Sequence, residues 1–451
     1  MWNKGEYWMK ILIIGNGFDL AHRLPTSYVD FLNYCGDGSC VEKISENAET
    51  RKEFRALTQN NLWMNYFVWA LGRQSGTWID LENKIKSVVE AFENITVDEV
   101  ESKSGFHRHL VYRGGRLPDN KFIQFFNRQL EPLGLAEITQ DDTGIHVEGE
   151  SSFDLVKFLY DQLKRFVRSF EMYCAYVINK KTQGIQGRIT EEKIKAMSNK
   201  ESEIAYRVFP PELPIHQELS MKGAECKKRL VMAKHTFERD RCDRNAQLND
   251  SSITAYKRLL SSPNSYLPCS VFDCVLSFNY TATYELLYGN SRTGYCYIHG
   301  KAQEDANVTN LVLGIDDGLQ KGDESQNFEW VKFKKYFQRI WFKTGSDYKD
   351  WIKQIDEESE EIHEVYIVGH SLDKTDHDVL REFLTCANAR ATIYYYTPDD
   401  HIEKIERTIE ILADKGKLNG KEELIRRVHG SDWRIRFVDQ HGSEGLFTPR
   451  T

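Results

Sequence analysis

The chain has 451 residues, of which 40% are hydrophobic and 28% are charged, and its formal net charge is -8 at pH 7. This length predicts two or three subdomains, or one domain with a large insertion. Without a basic excess, the composition does not indicate nucleic-acid binding. No apolar run approaches the length of a membrane span, and the polar start of the chain does not resemble a signal peptide, so we expect a cytoplasmic protein without membrane contact.

The nine cysteines are scattered along the chain. Cys35 and Cys40 are separated by four residues, as are Cys269 and Cys274, and zinc sites can use such a spacing. However, no histidine is placed to complete either pair, and Cys274 falls in an apolar run. We therefore interpret the cysteines as free thiols in a reducing compartment and expect no bound metal.

The first predicted elements are a buried strand, a glycine turn and a helix start. The apolar run Ile11–Ile14 breaks at Gly15-Asn16-Gly17, and helical spacing follows Pro25. Such a turn lets backbone N–H groups approach a phosphate. Many strand-to-helix turns, however, use glycine only for tightness. This segment alone leaves both interpretations open.

The middle of the chain, about residues 42–265, is predicted to be mostly helical. Apolar residues recur at helical spacing in residues 63–70 and 153–173. Glycine and proline breaks in residues 104–150 predict a small hairpin or loop. We expect an α/β domain formed by residues 1–41 and 266–451, with 42–265 as a helical insertion.

Strand-like runs return after this insertion and alternate with short helical patterns. They are Phe272–Phe278, Tyr295–Ile298, Leu311–Leu313, Val365–Val368, Thr392–Tyr396 and Ile435–Val438. Such alternation is typical of a parallel sheet with helices on both faces. The predicted fold class is therefore α/β.

Polar or glycine-rich elements follow three of these runs. They are Asn279, His299-Gly300 and Gly369-His370-Ser371 with Asp373. Ligands of open α/β folds bind at the carboxyl edge of the sheet, and a histidine there can take a proton near neutral pH. Structural alternatives stay open: a helix cap for Asn279, a structural histidine, and a capped turn after the third run.

These motifs resemble those of sirtuins and sirtuin-like defence proteins. The matching segments are Gly15–Asp19 for the nucleotide loop, Asn279-Tyr280 for the asparagine element, His299-Gly300 for the catalytic His-Gly, and Gly369–Leu372 for the Gly-x-Ser-Leu loop. The segments Asn16–Leu32, Thr77–Glu82 and Gly369–Asp376 are more similar to the AbiH family of bacterial phage abortive-infection proteins. The AbiH similarity spans nearly the whole chain.

The sirtuin resemblance implies a Rossmann-type sheet whose site cleaves NAD to nicotinamide and ADP-ribose. Asn279 would hold the ribose hydroxyls and the attacking water, and His299 would accept a proton. The implied nucleotide-binding residues are Gly15, Asn16, Gly17, Phe18, Asp19, Pro25, Thr26, Gly369, His370, Ser371 and Asp373. The implied partners are NAD or a related nucleotide, a phage-derived trigger and further copies of the chain in a homo-oligomer.

Some positions depart from the sirtuin pattern. Asp19 replaces the loop serine, Arg23 replaces a glycine, and Thr281 replaces the aspartate after Asn-Tyr. A carboxylate beside phosphates is repulsive unless it faces a ribose hydroxyl or a cation. Asp80 fits the charged start of a helix, and Glu82 is left without an assignment.

Two other functions stay open. One is a nucleotide-binding sensor without catalysis. The other is a nuclease whose metal ligands would come from His299, Asp316, Asp317, Asp373, Asp376 and Asp378.

Overall fold

A computed structural model describes residues 9–71, 78–92, 95–98, 107–112, 120–130, 136–141, 144–150, 154–184, 272–289, 293–304, 309–315, 328–356, 362–413, 427–428 and 434–439. The chain divides into two units. The first consists of Met1–Leu24, Asn179–Ile298 and Ser346–Thr451, and the second of Pro25–Ile178 and His299–Gly345.

The strands within the described residues are β1 (Lys10–Ile14), β2 (Ile95–Asp98), β3 (His107–Tyr112), β4 (Ala136–Asp141), β5 (Gly144–Glu150), β6 (Cys274–Ser277), β7 (Gly294–Tyr297), β8 (His363–Val368), β9 (Ala389–Tyr395) and β10 (Ile435–Asp439). The α-helices there are α1 (Asn16–Ala21), α2 (Tyr28–Gly36), α3 (Cys40–Ile44), α4 (Ala48–Thr58), α5 (Leu62–Leu71), α6 (Trp78–Phe92), α7 (Asn120–Leu130), α8 (Leu155–Met172), α9 (Thr283–Tyr288), α10 (Lys335–Phe342), α11 (Tyr348–Asp356), α12 (His377–Thr385) and α13 (Pro398–Ala413).

The first unit is built on a six-stranded sheet with the order β10-β9-β8-β1-β6-β7. Every neighbouring pair is parallel. The structure therefore confirms the predicted parallel sheet flanked by helices. Strands β6 and β7 lie on one side of β1, whereas β8, β9 and β10 lie on the other. The direction in which successive strands are added to the sheet therefore reverses between β1 and β8.

Strand β1 lies at the centre of this sheet and is covered on both faces. Ile11 and Ile13 belong to one apolar cluster, with residues of α11, α12 and α13, whereas Leu12 and Ile14 belong to another, with residues of α1 and α9. Burial on both faces explains why the strand is a continuous apolar run rather than an alternating one.

The parallel register brings several strand ends to one edge. Ile14 pairs with Ser277 of β6 and Val368 of β8, and Ser277 pairs with Tyr297 of β7. The residues that follow these strands in the first unit, including Gly15, Asn279 and Gly369, therefore come to the same edge.

The second unit combines helices with an antiparallel sheet of order β2-β3-β5-β4. Its helical core contains Phe31, whose ring packs against Phe166, Phe170 and Tyr173. Helix α2 begins after Ser27, whose side chain and Asp30 form a capping box. The helix start expected after Pro25 is thus present, and a short additional helix, α1, directly follows Gly15.

Two elements differ from the sequence analysis. The segment expected as a small hairpin or loop is part of a four-stranded antiparallel sheet. Leu311–Leu313, expected as a strand, is buried but is not a strand: Val312 N–H donates to the His299 carbonyl, and Leu313 N–H to the Gln338 side chain. Burial alone thus explains this apolar run.

The insertion over 42–265 stays a prediction, because residues 185–271 lie outside the described residues. The second unit begins earlier, at Pro25, and includes His299–Gly345 from the later part of the chain. Within the described ranges, no helix combines the length and apolar character needed to cross a membrane.

Candidate functional site

The loops after β1 and β8 pack backbone against backbone. Gly15 N–H donates to the Val368 carbonyl at 3.1 Å, and Gly17 N–H donates to the Gly369 carbonyl at 2.8 Å. A Cβ atom on Gly17 would lie 2.8 Å from Gly369 Cα, and Gly369 itself has φ +63°. The close approach of the two loops therefore requires glycine at these positions.

This packing bears on the predicted phosphate contacts. The N–H groups of Gly15 and Gly17 already have carbonyl partners, so a phosphate would have to displace them. The Phe18 side chain is fully buried in the apolar cluster formed by Leu12 and Ile14. Loop packing thus accounts for Gly15 and Gly17, and their role in nucleotide binding stays a prediction.

Asp19 lies one turn further along α1 and is 1% exposed. The Thr281 hydroxyl donates a hydrogen bond to Asp19 Oδ2, and the Thr283 hydroxyl donates to Thr281 Oγ1 at 3.1 Å. These two consecutive hydrogen bonds hold one carboxyl oxygen of Asp19 in place. The other, Oδ1, is buried without a hydrogen-bond partner.

Asn279 lies beside this carboxyl, just beyond the end of β6. It is 4% exposed, and neither its Oδ1 nor its Nδ2 has a hydrogen-bond partner. Its amide favours the charged form of Asp19 without reaching hydrogen-bond geometry. The structure therefore brings together two predicted site residues that are far apart in the sequence.

Burial raises the pKa of the Asp19 carboxyl from 3.8 to about 6. The side chains of Thr281, Thr283 and Asn279 oppose this shift, because they stabilise the negative charge. Asp19 thus has a pKa close to neutral pH, in the range useful for proton transfer or for ligand-linked ionisation.

His22 supports this region and was not identified from the sequence. Its Nδ1–H donates to the Phe18 carbonyl at 2.7 Å, and its Nε2 accepts from the Tyr288 hydroxyl at 2.7 Å. Burial lowers the pKa of His22 to about 4, so the ring is neutral at physiological pH. It ties α1 to α9, a pairing that the sequence could not reveal.

The predicted residues after β8 mainly stabilise their own loop. His370 Nδ1 accepts the Leu372 N–H at 2.9 Å, and the buried Lys404 ammonium donates to the His370 carbonyl at 2.9 Å. Asp373 caps the following turn and lies 3.5 Å from the Arg407 guanidinium. Ser371 is exposed.

Pro25, Thr26 and His299 belong to the second unit. The Pro25 carbonyl accepts a hydrogen bond from the Tyr173 hydroxyl at 2.7 Å, and Thr26 is buried. His299 is 5% exposed, and its carbonyl accepts from Val312 N–H at 2.8 Å. Its predicted role as a proton acceptor stays a prediction.

The second unit also contains a buried ion pair. Lys335 Nζ lies 2.8 Å from Glu82 Oε1, with side-chain exposures of 2% and 8%. Asp80 lies in the first turn of α6, as its helix-start interpretation predicts. Glu82, which the sequence left without an assignment, thus has an ionic partner 253 residues later in the chain (335 − 82).

No group of three or more His, Cys, Asp or Glu side chains is arranged to hold a metal ion in the part of the chain that the structure describes. Asp316 and Asp317, two of the residues considered as metal ligands, lie outside the described residues.

Comparison with known proteins identifies the family of the chain. No curated protein is significantly similar to this chain. The family model described as "Bacteriophage abortive infection AbiH" matches residues 11–203 and 218–396. This match includes the loops after β1, β6 and β8 that form the edge described above. The chain therefore belongs to the AbiH family of bacteriophage abortive infection proteins.

Proposed function

We propose that this protein is an anti-phage effector that hydrolyses NAD to nicotinamide and ADP-ribose. Membership of an abortive-infection family supports the defence role. Counted along its own six strands, the parallel sheet has the order 3-2-1-4-5-6 when read from β7 to β10. That order is the one used by dinucleotide-binding Rossmann sheets, which supports a nucleotide as the ligand.

The observation that carries the proposal is the buried Asn279 amide beside the Asp19 carboxyl at the carboxyl edge of the sheet. In the proposed reaction, the bond from ribose C1′ to nicotinamide breaks and its electron pair leaves with the nicotinamide nitrogen. A water oxygen then bonds to C1′ and releases a proton. An amide that orients the ribose and a nearby carboxylate that stabilises positive charge at C1′ both suit this step.

The proton acceptor is assigned to His299 on the resemblance alone. We expect His299→Ala to reduce nicotinamide release by about 10²–10⁴-fold, the usual cost of losing a general base. If the folded His299→Ala variant released nicotinamide as fast as the wild type, the proposed reaction would stand, but His299 would not be its proton acceptor. Activation by a phage-derived trigger and assembly into a homo-oligomer also stay predictions.

The direct test is incubation of the purified full-length protein with NAD, with nicotinamide and ADP-ribose measured by chromatography. Wild type and the control Asn33→Ala, an exposed position in α2, should release both products. Asn279→Ala should release neither while keeping the wild-type circular dichroism spectrum.

The same preparation separates the alternatives. Binding of NAD without cleavage by the wild type would favour a nucleotide sensor. Cleavage of RNA in the presence of Mg²⁺, with NAD left intact, would favour a nuclease.

A further inference from the structure

Helix α10 of the second unit exposes a large apolar face to solvent. Ile340 and Trp341 are 74% and 68% exposed, and Tyr336, one turn before Ile340, is 42% exposed. The Phe337 ring stacks on the Trp341 ring, with 6.3 Å between the two centroids. On the other side of the helix Gln338 is buried. A contiguous exposed apolar patch of this kind is typical of a surface that binds a partner.

The charges around this α10 face are positive. Residues 331–345 include no acidic residue but carry the basic side chains of Lys332, Lys334, Lys335, Arg339 and Lys343. Lys335 is neutralised by its ion pair with Glu82, whereas Lys343 is exposed and makes no ion pair within the described residues. Two copies of this face packed on each other would bring like charges together, which is unfavourable.

Helix α13 of the first unit has an exposed face of the opposite charge. Ile402 and Ile409, about two turns apart, are 58% and 41% exposed. They are flanked by the exposed carboxylates of Asp399, Glu403, Glu406 and Glu410. Arg407 pairs with Glu403 and Glu410, whereas Asp399 and Glu406 make no ion pair in the part of the chain that the structure describes. This α13 face therefore offers apolar contacts together with negative charge.

We propose that the α10 face of one copy of the protein packs against the α13 face of a second copy. Ile340 and Trp341 would pack on Ile402 and Ile409, and Lys343 would lie against the acidic flank. Because the two faces differ, the interface is heterologous, and its repetition builds a closed ring or an open filament. The proposal goes beyond NAD hydrolysis and does not depend on it.

An anionic membrane surface also attracts helices that combine aromatic and basic residues. Such a surface would account for the α10 face alone. A second copy accounts for the exposed apolar residues of both helices and for the opposite sign of the charges around them. The second copy is therefore the partner that the two faces together favour.

Sedimentation equilibrium of the full-length protein, without nucleotide, measures this assembly directly. The average mass of the wild type should rise above that of one chain as the protein concentration increases. High salt should lower this mass, because it screens exposed charges. A wild type that stays monomeric at every concentration would overturn the proposal.

Two variants, each with one altered face, test which surfaces meet. Ile340→Gln with Trp341→Gln alters the α10 face, and Ile402→Gln with Ile409→Gln alters the α13 face. Each should raise the dissociation constant at least about tenfold, because buried apolar anchors carry most of the binding energy of an interface. An equal mixture of the two should form a complex of two chains and nothing larger, because each pair then has one intact interface. The control Leu20→Gln, an exposed apolar position in α1, should assemble like the wild type.

Circular dichroism and melting temperature verify that each variant is folded. Lys343→Glu, which keeps the apolar contacts, should also weaken association. A mixture of the two altered proteins that stays monomeric would contradict the pairing of these faces, as would an α13 variant that assembles like the wild type. Binding of a monomeric wild type to phosphatidylserine vesicles, lost in the α10 variant, would assign the α10 face to a membrane instead.

The two proposals fail in different ways. A protein that assembles through these faces but releases no nicotinamide from NAD would disprove the hydrolase and leave the interface standing. A protein that releases nicotinamide but stays monomeric would do the reverse.

Discussion

At the scale of single residues, Asp19 destabilises the folded protein at neutral pH. Its carboxyl ionises near pH 3.8 in an unfolded chain and near pH 6 in the folded one, because it is buried. Between these values the folded protein keeps a proton that the unfolded chain has released. Protonated Asp19 therefore leaves the free energy of unfolding at its full value below about pH 4. This free energy falls as the pH rises through 6, because the buried carboxyl must then ionise.

Asp19→Asn should remove this dependence. At pH 8 we expect the variant to need more urea to unfold than the wild type, with a free energy of unfolding higher by on the order of 2–3 kcal/mol. This difference in free energy should shrink towards pH 4. Urea titrations of both proteins between pH 4 and pH 8 measure it, with Asp399→Asn as the control. A difference that does not change with pH would show that Asp19 ionises normally.

The sequence predicted the site only in part at this scale. Asn279 was identifiable because a polar residue directly follows an apolar strand. Asp19 was noted only as a departure from the sirtuin loop, and its bond to Thr281 joins residues 262 positions apart. No local pattern encodes such a pairing, because the sheet register brings the two residues together.

At the scale of elements, the contact between the loops after β1 and β8 predicts a stability effect. Gly17→Ala should destabilise the protein by about 1–3 kcal/mol, because the new Cβ would overlap the Gly369 backbone. The control is Gly38→Ala, where a Cβ would have no neighbour within 4 Å. Thermal unfolding compares the two. Equal melting temperatures would mean that the loops do not pack so closely.

The buried ion pair of the second unit gives another prediction. Lys335→Met should cost about 3–5 kcal/mol, because Glu82 would stay buried without its partner. The double variant Glu82→Leu with Lys335→Met should recover most of this loss, whereas Lys52→Met, in an exposed pair with Glu49, should change little. Additive losses in the double variant would show that the two side chains are not coupled.

The predicted elements were most accurate where burial is two-sided. Strand β1 was evident because both of its faces are apolar, and helix α2 because residues at helical spacing follow Pro25. Strands β3–β5 fall within residues 104–150, which were expected to form a small hairpin or loop, because short segments such as Gly144–Glu150 mix polar and apolar residues and give a weak signal.

At the scale of the whole molecule, the alternation of late strands with helices was sufficient to predict the parallel sheet. It was not sufficient to give the order of the strands, because the sequence does not show on which side of β1 each later strand pairs. The boundaries expected at 42 and 265 assumed that the second unit is one continuous insertion. The second unit of the structure also includes His299–Gly345, and the insertion with these boundaries stays a prediction.

NAD in infected cells tests the central claim most directly. Bacteria that express the wild type or Asn33→Ala, and are infected with a phage that the protein restricts, should lose most of their NAD before growth stops. Cells that express Asn279→Ala at the same level should keep their NAD and fail to restrict the phage. Steady NAD in cells whose growth is arrested by the active wild-type protein would contradict the hydrolase proposal.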